Sequence, residues 1–163
     1  MPYRVTFVCT GNICRSPMAE AVFRHHAGEE GLDVEVDSSG TDGWHAGDRA
    51  DSRTVAALRR SGYPSAHVAR RFEPHWFGRY DLIIALDGGH LADLRGMAPD
   101  AASAAKIRLL REFDPSTGAD PSTGADVPDP YYGGRADFDH VLGLVEAAMP
   151  GLLDEVRAAL KDR

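Results

Sequence analysis

Cys9-Thr10-Gly11-Asn12-Ile13-Cys14-Arg15-Ser16, followed at once by Pro17, decides the reading of this chain. Arg4-Val5-Thr6-Phe7-Val8 precedes it, an apolar run of the length of one buried strand. Ser16-Pro17 reads as a helix start, with a hydroxyl N-cap and proline at the first helical position. Met18 to Glu30 then suits a helix, and Gly31 suits its stop. Strand, glycine-bearing loop and helix in that order put the loop at the carboxyl edge of an α/β sheet, where ligands bind.

Each residue of the loop has a chemical use there. The helix that follows turns its free N–H groups and positive dipole end toward the loop. Gly11 lets the backbone curl so that successive amides face inward as a nest for an oxyanion. Those amides also favour the thiolate of Cys9, the nucleophilic form of a cysteine. Arg15 can grip two phosphate oxygens at once. Ser16 can donate to the Cys9 sulfur and stabilise it as a leaving group. A cysteine at a strand end can also be a small buried hydrophobe, but that reading leaves the rest of the pattern unused.

Outward from the loop, strands and helices alternate. Leu32, Val34 and Val36 alternate with polar residues, so 32–37 reads as a strand. Asp51 or Ser52 caps a helix through Arg60, with Val55 and Leu58 inward and Gly62 after it. Leu82-Ile83-Ile84-Ala85-Leu86 is a buried strand, 89–96 a short helix and Lys106 to Phe113 a fourth strand. From Asp137, Val141, Leu142, Val145, Ala148, Leu152, Val156 and Leu160 recur at helical spacing. Pro150-Gly151 predicts a kink there, or two helices. This alternation argues for a parallel α/β sheet. The motif DPSTGA at 114–119 recurs at 120–125 and reads as a local duplication in a flexible surface loop.

Composition narrows the classes. The 163 residues suit one domain, spanning 1–163, and 43% hydrophobic with 26% charged residues is ordinary for a globular protein. No apolar run approaches the ~20 residues that cross a bilayer, and no signal-peptide pattern opens the chain, so a cytoplasmic protein without membrane contact is expected. A net charge of −7 argues against nucleic-acid binding. Two cysteines five positions apart do not build a disulfide framework. No Gly-x4-Gly-Lys run supports a nucleotide-binding P-loop, and no Cys or His spacing supports zinc. His25-His26 reads as solvated helix surface.

The chemistry also needs a proton donor, because a phenolate leaving group has a pKa near ~10. Asp129 in Val127-Pro128-Asp129-Pro130-Tyr131-Tyr132 is the candidate, stiffened by prolines and followed by two rings able to line a slot.

Together, Cys9–Ser16 with Pro17-Met18-Ala19-Glu20-Ala21, and Asp129-Pro130-Tyr131-Tyr132, resemble the low-molecular-weight protein tyrosine phosphatases. Asp37-Ser38-Ser39-Gly40-Thr41, Trp44, Asp51-x-Arg53, Ala66-His67-x-Ala69-Arg70 and Leu86-Asp87 extend the resemblance over nearly the whole chain. The resemblance implies a three-layer α/β sandwich, with a central four-stranded parallel sheet flanked by helices. It implies cysteinyl-phosphate chemistry with no metal and no cofactor, acting on phosphotyrosine-containing proteins. Carried over by position, Cys9 is the nucleophile, Arg15 the phosphate ligand and Asp129 the acid, then base. Asn12, Ser16, Ser38 and His67 match the network supporting the loop, in which Thr10, Gly11, Ile13 and Cys14 complete the cradle. Trp44, Tyr131 and Tyr132 match the walls of the slot. Asp87 is read as strand termination. The chain is expected to be a monomer or a weak homo-oligomer.

Three rivals are weaker. A thioredoxin-type arsenate reductase needs cysteines downstream of Cys14, and there are none. Protein-arginine phosphatases of the same fold carry, as the resemblance implies, a threonine at the position of Ile13 and usually lack the tyrosine pair. A non-catalytic phosphopeptide module would not need Cys9, Arg15 and Asp129 together. Two departures from the family pattern are Ala50, where proline is common, and the duplicated DPSTGA. Cys14 is a candidate partner of Cys9 in a reversible disulfide.

Overall fold

The computed structural model describes residues 2–117 and 125–163. A four-stranded parallel sheet runs in the order β2-β1-β3-β4, built from β1 (Tyr3–Cys9), β2 (Val34–Gly40), β3 (Leu82–Ala85) and β4 (Ile107–Leu109). Alternation along β1 and β3 sorts side chains to two cores. Val5, Phe7, Leu82 and Ile84 pack with α1 (Arg15–Glu29), α2 (Ser52–Arg60) and α5 (Arg135–Lys161). Val8, Ile83 and Ala85 face Phe72, Trp76, Phe77 and Leu94, from the 3₁₀ turn Pro74–Arg79, its approach and α3 (Gly88–Met97). The sheet is thus covered on both faces, as the sequence predicts.

Because every strand runs the same way, the ends of β1, β2 and β3 reach one edge. The chain leaves β1 toward β2 on one side and returns to β3 on the other. Such a switch in strand order opens a crevice at the carboxyl edge beside β1.

Five expectations need correction. Helix α1 begins at Arg15, with Cys14 rather than Ser16 in the cap position and no side-chain cap. The Ser16 hydroxyl faces Cys9 instead, and Pro17 falls within the first turn, where a missing N–H costs nothing. Strand β2 runs later than 32–37, ending at Gly40. The fourth strand stops at Leu109, and Leu110–Phe113 turns as 3₁₀ helix with Leu110 fully buried. Of the two alternatives at Pro150-Gly151, two helices are excluded: α5 is one helix with Pro150 inside it, held by a buried row from Phe138 to Val156. In α2, Asp51 is the cap; Thr54, Ala57 and Leu58 are buried and Val55 only half-buried.

Short helix α4 (Ala101–Ala104) and the turn Pro74–Arg79 carry no strong sequence signal. The first DPSTGA copy starts at a buried Asp114, whose Oδ1 accepts from the Ser116 amide and hydroxyl. The surface-loop expectation for 118–124 lies outside the described residues. Among the described residues, no helix is long and apolar enough to cross a membrane.

Candidate active site

The loop after β1 is held from outside by its carbonyls. Thr41 and Asp42 donate their amides to Cys9 O at 2.8 Å and Thr10 O at 3.1 Å. His67 Nε2–H donates to Asn12 O at 2.7 Å, and the Asp51 amide to Ile13 O at 2.8 Å. Cys14 O accepts from the Met18 amide at 3.3 Å and from Thr54 Oγ1 at 3.4 Å. With these carbonyls turned outward, the amides of residues 10–15 find no acceptor among the described residues. This is the geometry of an anion nest.

Asn12 pins the curl. Its φ of 59° is the left-handed conformation that asparagine tolerates better than most residues. Its Nδ2 donates to Ser16 Oγ at 2.8 Å and Ser38 Oγ at 3.0 Å, while Oδ1 accepts from the Arg70 amide at 3.0 Å. Ser38 Oγ–H in turn donates to Glu20 Oε1 at 2.6 Å. Ser16 Oγ lies 2.9 Å from Cys9 Sγ. Asn12, Ser16, Ser38 and His67 therefore sit behind the loop, and Glu20, 3.8 Å from His67 Nδ1, joins them. Gly11 has the His45 ring so close that an added Cβ would lie 2.9 Å from it.

Arg15 is a buried cation, its side chain 5% exposed. Nη1 donates to Asp87 Oδ2 at 2.8 Å and Val127 O at 3.0 Å. Among the described residues Nη2 has only longer contacts, to Thr10 Oγ1 at 3.5 Å, His90 Nε2 at 3.4 Å and Asp129 Oδ2 at 3.9 Å. Asp87 caps α3, accepting from the His90 amide at 2.9 Å. Burial raises its pKa, but that amide, His90 and Arg15 outweigh burial and leave it below the usual carboxylate value.

Residues 125–132 come alongside. Val127 N–H pairs with Leu86 O at 2.9 Å, and Asp126 Oδ1 takes the Gly88 amide at 2.8 Å. Asp129 follows, its Oδ1 accepting from the Tyr131 amide at 3.1 Å. The Tyr131 and Tyr132 rings meet edge-on at 5.0 Å. Arg53, gripped by Asp51, donates to Gly133 O at 3.1 Å and lies over Tyr131 and Phe138.

A cleft of about 310 Å³ brings Cys9, Thr10, Gly11, Ile13, Cys14 and Arg15 together with Trp44, Asp129, Tyr131 and Tyr132. Trp44 is 86% exposed and Tyr132 94%, so both offer open aromatic surface. Asp42 and His45 also line the cleft, and sequence reasoning missed them, as it missed Glu20 and His90. Asp87, read as strand termination, is a direct partner of Arg15; its place at the end of β3 was the available signal. Cys14 is buried, and burial followed by the Asp51 charge pushes its thiol up to about 12.

The fold and this cleft have known counterparts. The family model described as low molecular weight phosphotyrosine protein phosphatase matches residues 4–162. Over 166 aligned residues the chain is 57% identical to the low molecular weight protein-tyrosine-phosphatase of Streptomyces coelicolor, covering 100% of this chain and 99% of that one. It is 46% identical over 157 residues to low molecular weight protein-tyrosine phosphatase A of Mycobacterium tuberculosis, with 95% and 92% coverage. The crystal structure of a protein tyrosine phosphatase from Entamoeba histolytica, with Hepes in its active site, superposes with a TM-score of 0.88 at 32% identity, covering 96% of this chain and 98% of that one. With the same family found by sequence and by fold along nearly its entire length, the chain belongs to the low molecular weight phosphotyrosine protein phosphatases.

Proposed function

We propose that the chain hydrolyses protein phosphotyrosine, and small aryl phosphates, through a cysteinyl-phosphate. The observation that carries this reading is Cys9, touched by Ser16 and set beside the buried Arg15 and amides that are unpaired among the described residues. Cys9 thiolate attacks phosphorus in line; the Sγ–P bond forms as the P–O bond to the phenol breaks. Asp129 gives its proton to the departing oxygen. The amides of residues 10–15 and Arg15 hold the equatorial oxygens, where charge accumulates. In the second step a water oxygen bonds to phosphorus, its proton goes to Asp129, and the Sγ–P electrons return to sulfur. Ser16 then donates to that sulfur.

Ile13 in the loop and the rings of Trp44, Tyr131 and Tyr132 favour an aromatic leaving group over a guanidine. Phosphate release in chelator from phosphotyrosine, phosphoarginine and phosphoserine peptides tests the reading, with phosphotyrosine expected fastest. Cys9→Ser is expected to abolish turnover, and Asp129→Ala to slow aryl phosphate hydrolysis by ~10²-fold or more. Substantial turnover by the Cys9 variant would falsify the mechanism.

The same reading extends to redox control by a Cys9–Cys14 disulfide. Both thiols are free and buried, and burial pushes the Cys14 thiol up to about 12, so Cys9 is the better candidate for first oxidation. Peptide mapping after peroxide is expected to find the disulfide; Cys9 sulfonic acid alone would count against it.

A further inference from the structure

His90 stands in the first turn of α3, only 3% exposed. Its Nε2 lies 2.8 Å from Thr10 Oγ1 and 3.4 Å from Arg15 Nη2. Its Nδ1 is 3.1 Å from Asp87 Oδ1, yet off the line of a hydrogen bond, and has no such partner among the described residues. A guanidinium nitrogen can only donate. An Nε2–H would meet that donor head-on, whereas an Nε2 lone pair suits both Arg15 and the Thr10 hydroxyl. The ring proton then belongs on Nδ1, facing the Asp87 carboxylate. Burial holds the imidazole neutral down to a pKa of about 4; Arg15 adds to this, while Asp87, Asp93 and Asp129 oppose it.

The two arms of Arg15 are held unequally. Among the described residues, Nη1 has two close acceptors, and Nη2 has only contacts of 3.4 Å or more. Nη2 is the arm able to exchange its partners for a phosphate oxygen. Without His90, Thr10 Oγ1 and the more distant Asp129 Oδ2 are the partners left to it among the described residues.

We propose that His90, as a neutral ring protonated at Nδ1, is a positioning residue that holds Thr10 and the exchangeable Nη2 of Arg15 at the cleft. Arriving phosphate then takes over a donor already in place. This inference rests on the phosphatase reading of the same cleft.

Two measurements on the full chain test it. Imidazole ¹⁵N shifts between pH 5 and 8 are expected to report a neutral Nδ1–H ring at His90. An Nε2–H ring, or a charged one at pH 7, would overturn the proposal. With p-nitrophenyl phosphate, His90→Ala is expected to raise KM and the inorganic phosphate inhibition constant about tenfold, the size of one charge-assisted hydrogen bond, with kcat much less changed. His90→Gln, which restores an acceptor, is expected to recover part of that loss. Wild-type turnover with unchanged constants in His90→Ala sinks this inference alone. Absence of wild-type turnover sinks the phosphatase reading and the inference with it.

Discussion

A methyl group on Gly40 would lie 2.5 Å from Thr10 O, 3.1 Å from Asp42 O and 3.2 Å from Asn12 N. All three are backbone atoms, so no side chain can swing aside. The collision would push the loop after β1 away from the end of β2. Gly40→Ala is therefore expected to cost ~1–3 kcal/mol of stability and to lower kcat/KM by ~10²-fold, the scale of a 1 Å displacement at a reacting centre. Denaturant unfolding and aryl phosphate kinetics measure the two losses, and wild-type kinetics would remove Gly40 from this role. The residue was legible only through the family resemblance. Its need for smallness arises where two strands' loops meet, and no local pattern encodes that meeting. Ser16 fails as a local reading for a related reason. Ser-Pro has the form of a helix cap, but a thiol across the curl takes the hydroxyl.

At the level of elements, buried strands and helix faces were readable because burial imposes periods of two and of 3.6. Boundaries were less so. Leu110–Phe113 follows β4 directly but turns as 3₁₀ helix to lay its backbone against α5. Pro150-Gly151 reads as a break because both residues disfavour helix interiors. The packed row from Phe138 to Val156 outweighs that local preference. Gly151 also has a use that its propensity hides: a Cβ there would run into the carbonyl oxygen of Phe113. Gly151→Ala, favourable in an isolated helix by about 1 kcal/mol, is accordingly expected to destabilise this protein by ~1–3 kcal/mol. Thermal or urea unfolding would measure it. A more stable variant would mean that the close approach of the turn to α5 is not needed.

For the whole molecule, parallel topology does most of the assembly. It brings Cys9 from β1, Gly40 from β2 and Asp87 after β3 to one edge, although 78 positions separate Cys9 from Asp87 in the chain. The buried Arg15 then ties that edge to the 125–132 segment through Val127 O. Gathering charges in a buried place makes the fold sensitive to acid in a defined window. An ordinary histidine titrates near 6.5, while burial takes His90 to about 4. Between those values the unfolded chain binds a proton that the folded chain does not, so stability rises with pH. The contribution of His90 is complete above pH 6.5 and is lost as pH falls through 4. Over the window it amounts to ~3 kcal/mol. Asp87, below the usual 3.8, works in the same direction, but its share is lost only in still stronger acid. Urea unfolding of the wild type and His90→Gln at pH 7 and pH 4.5 isolates the histidine, since the other titrating groups are common to both. The wild type is expected to lose ~2–3 kcal/mol more than the variant between those two values. Equal losses would mean that His90 titrates as it does in the unfolded chain, and the burial of its ring against Arg15 and Thr10 would then have to be given up.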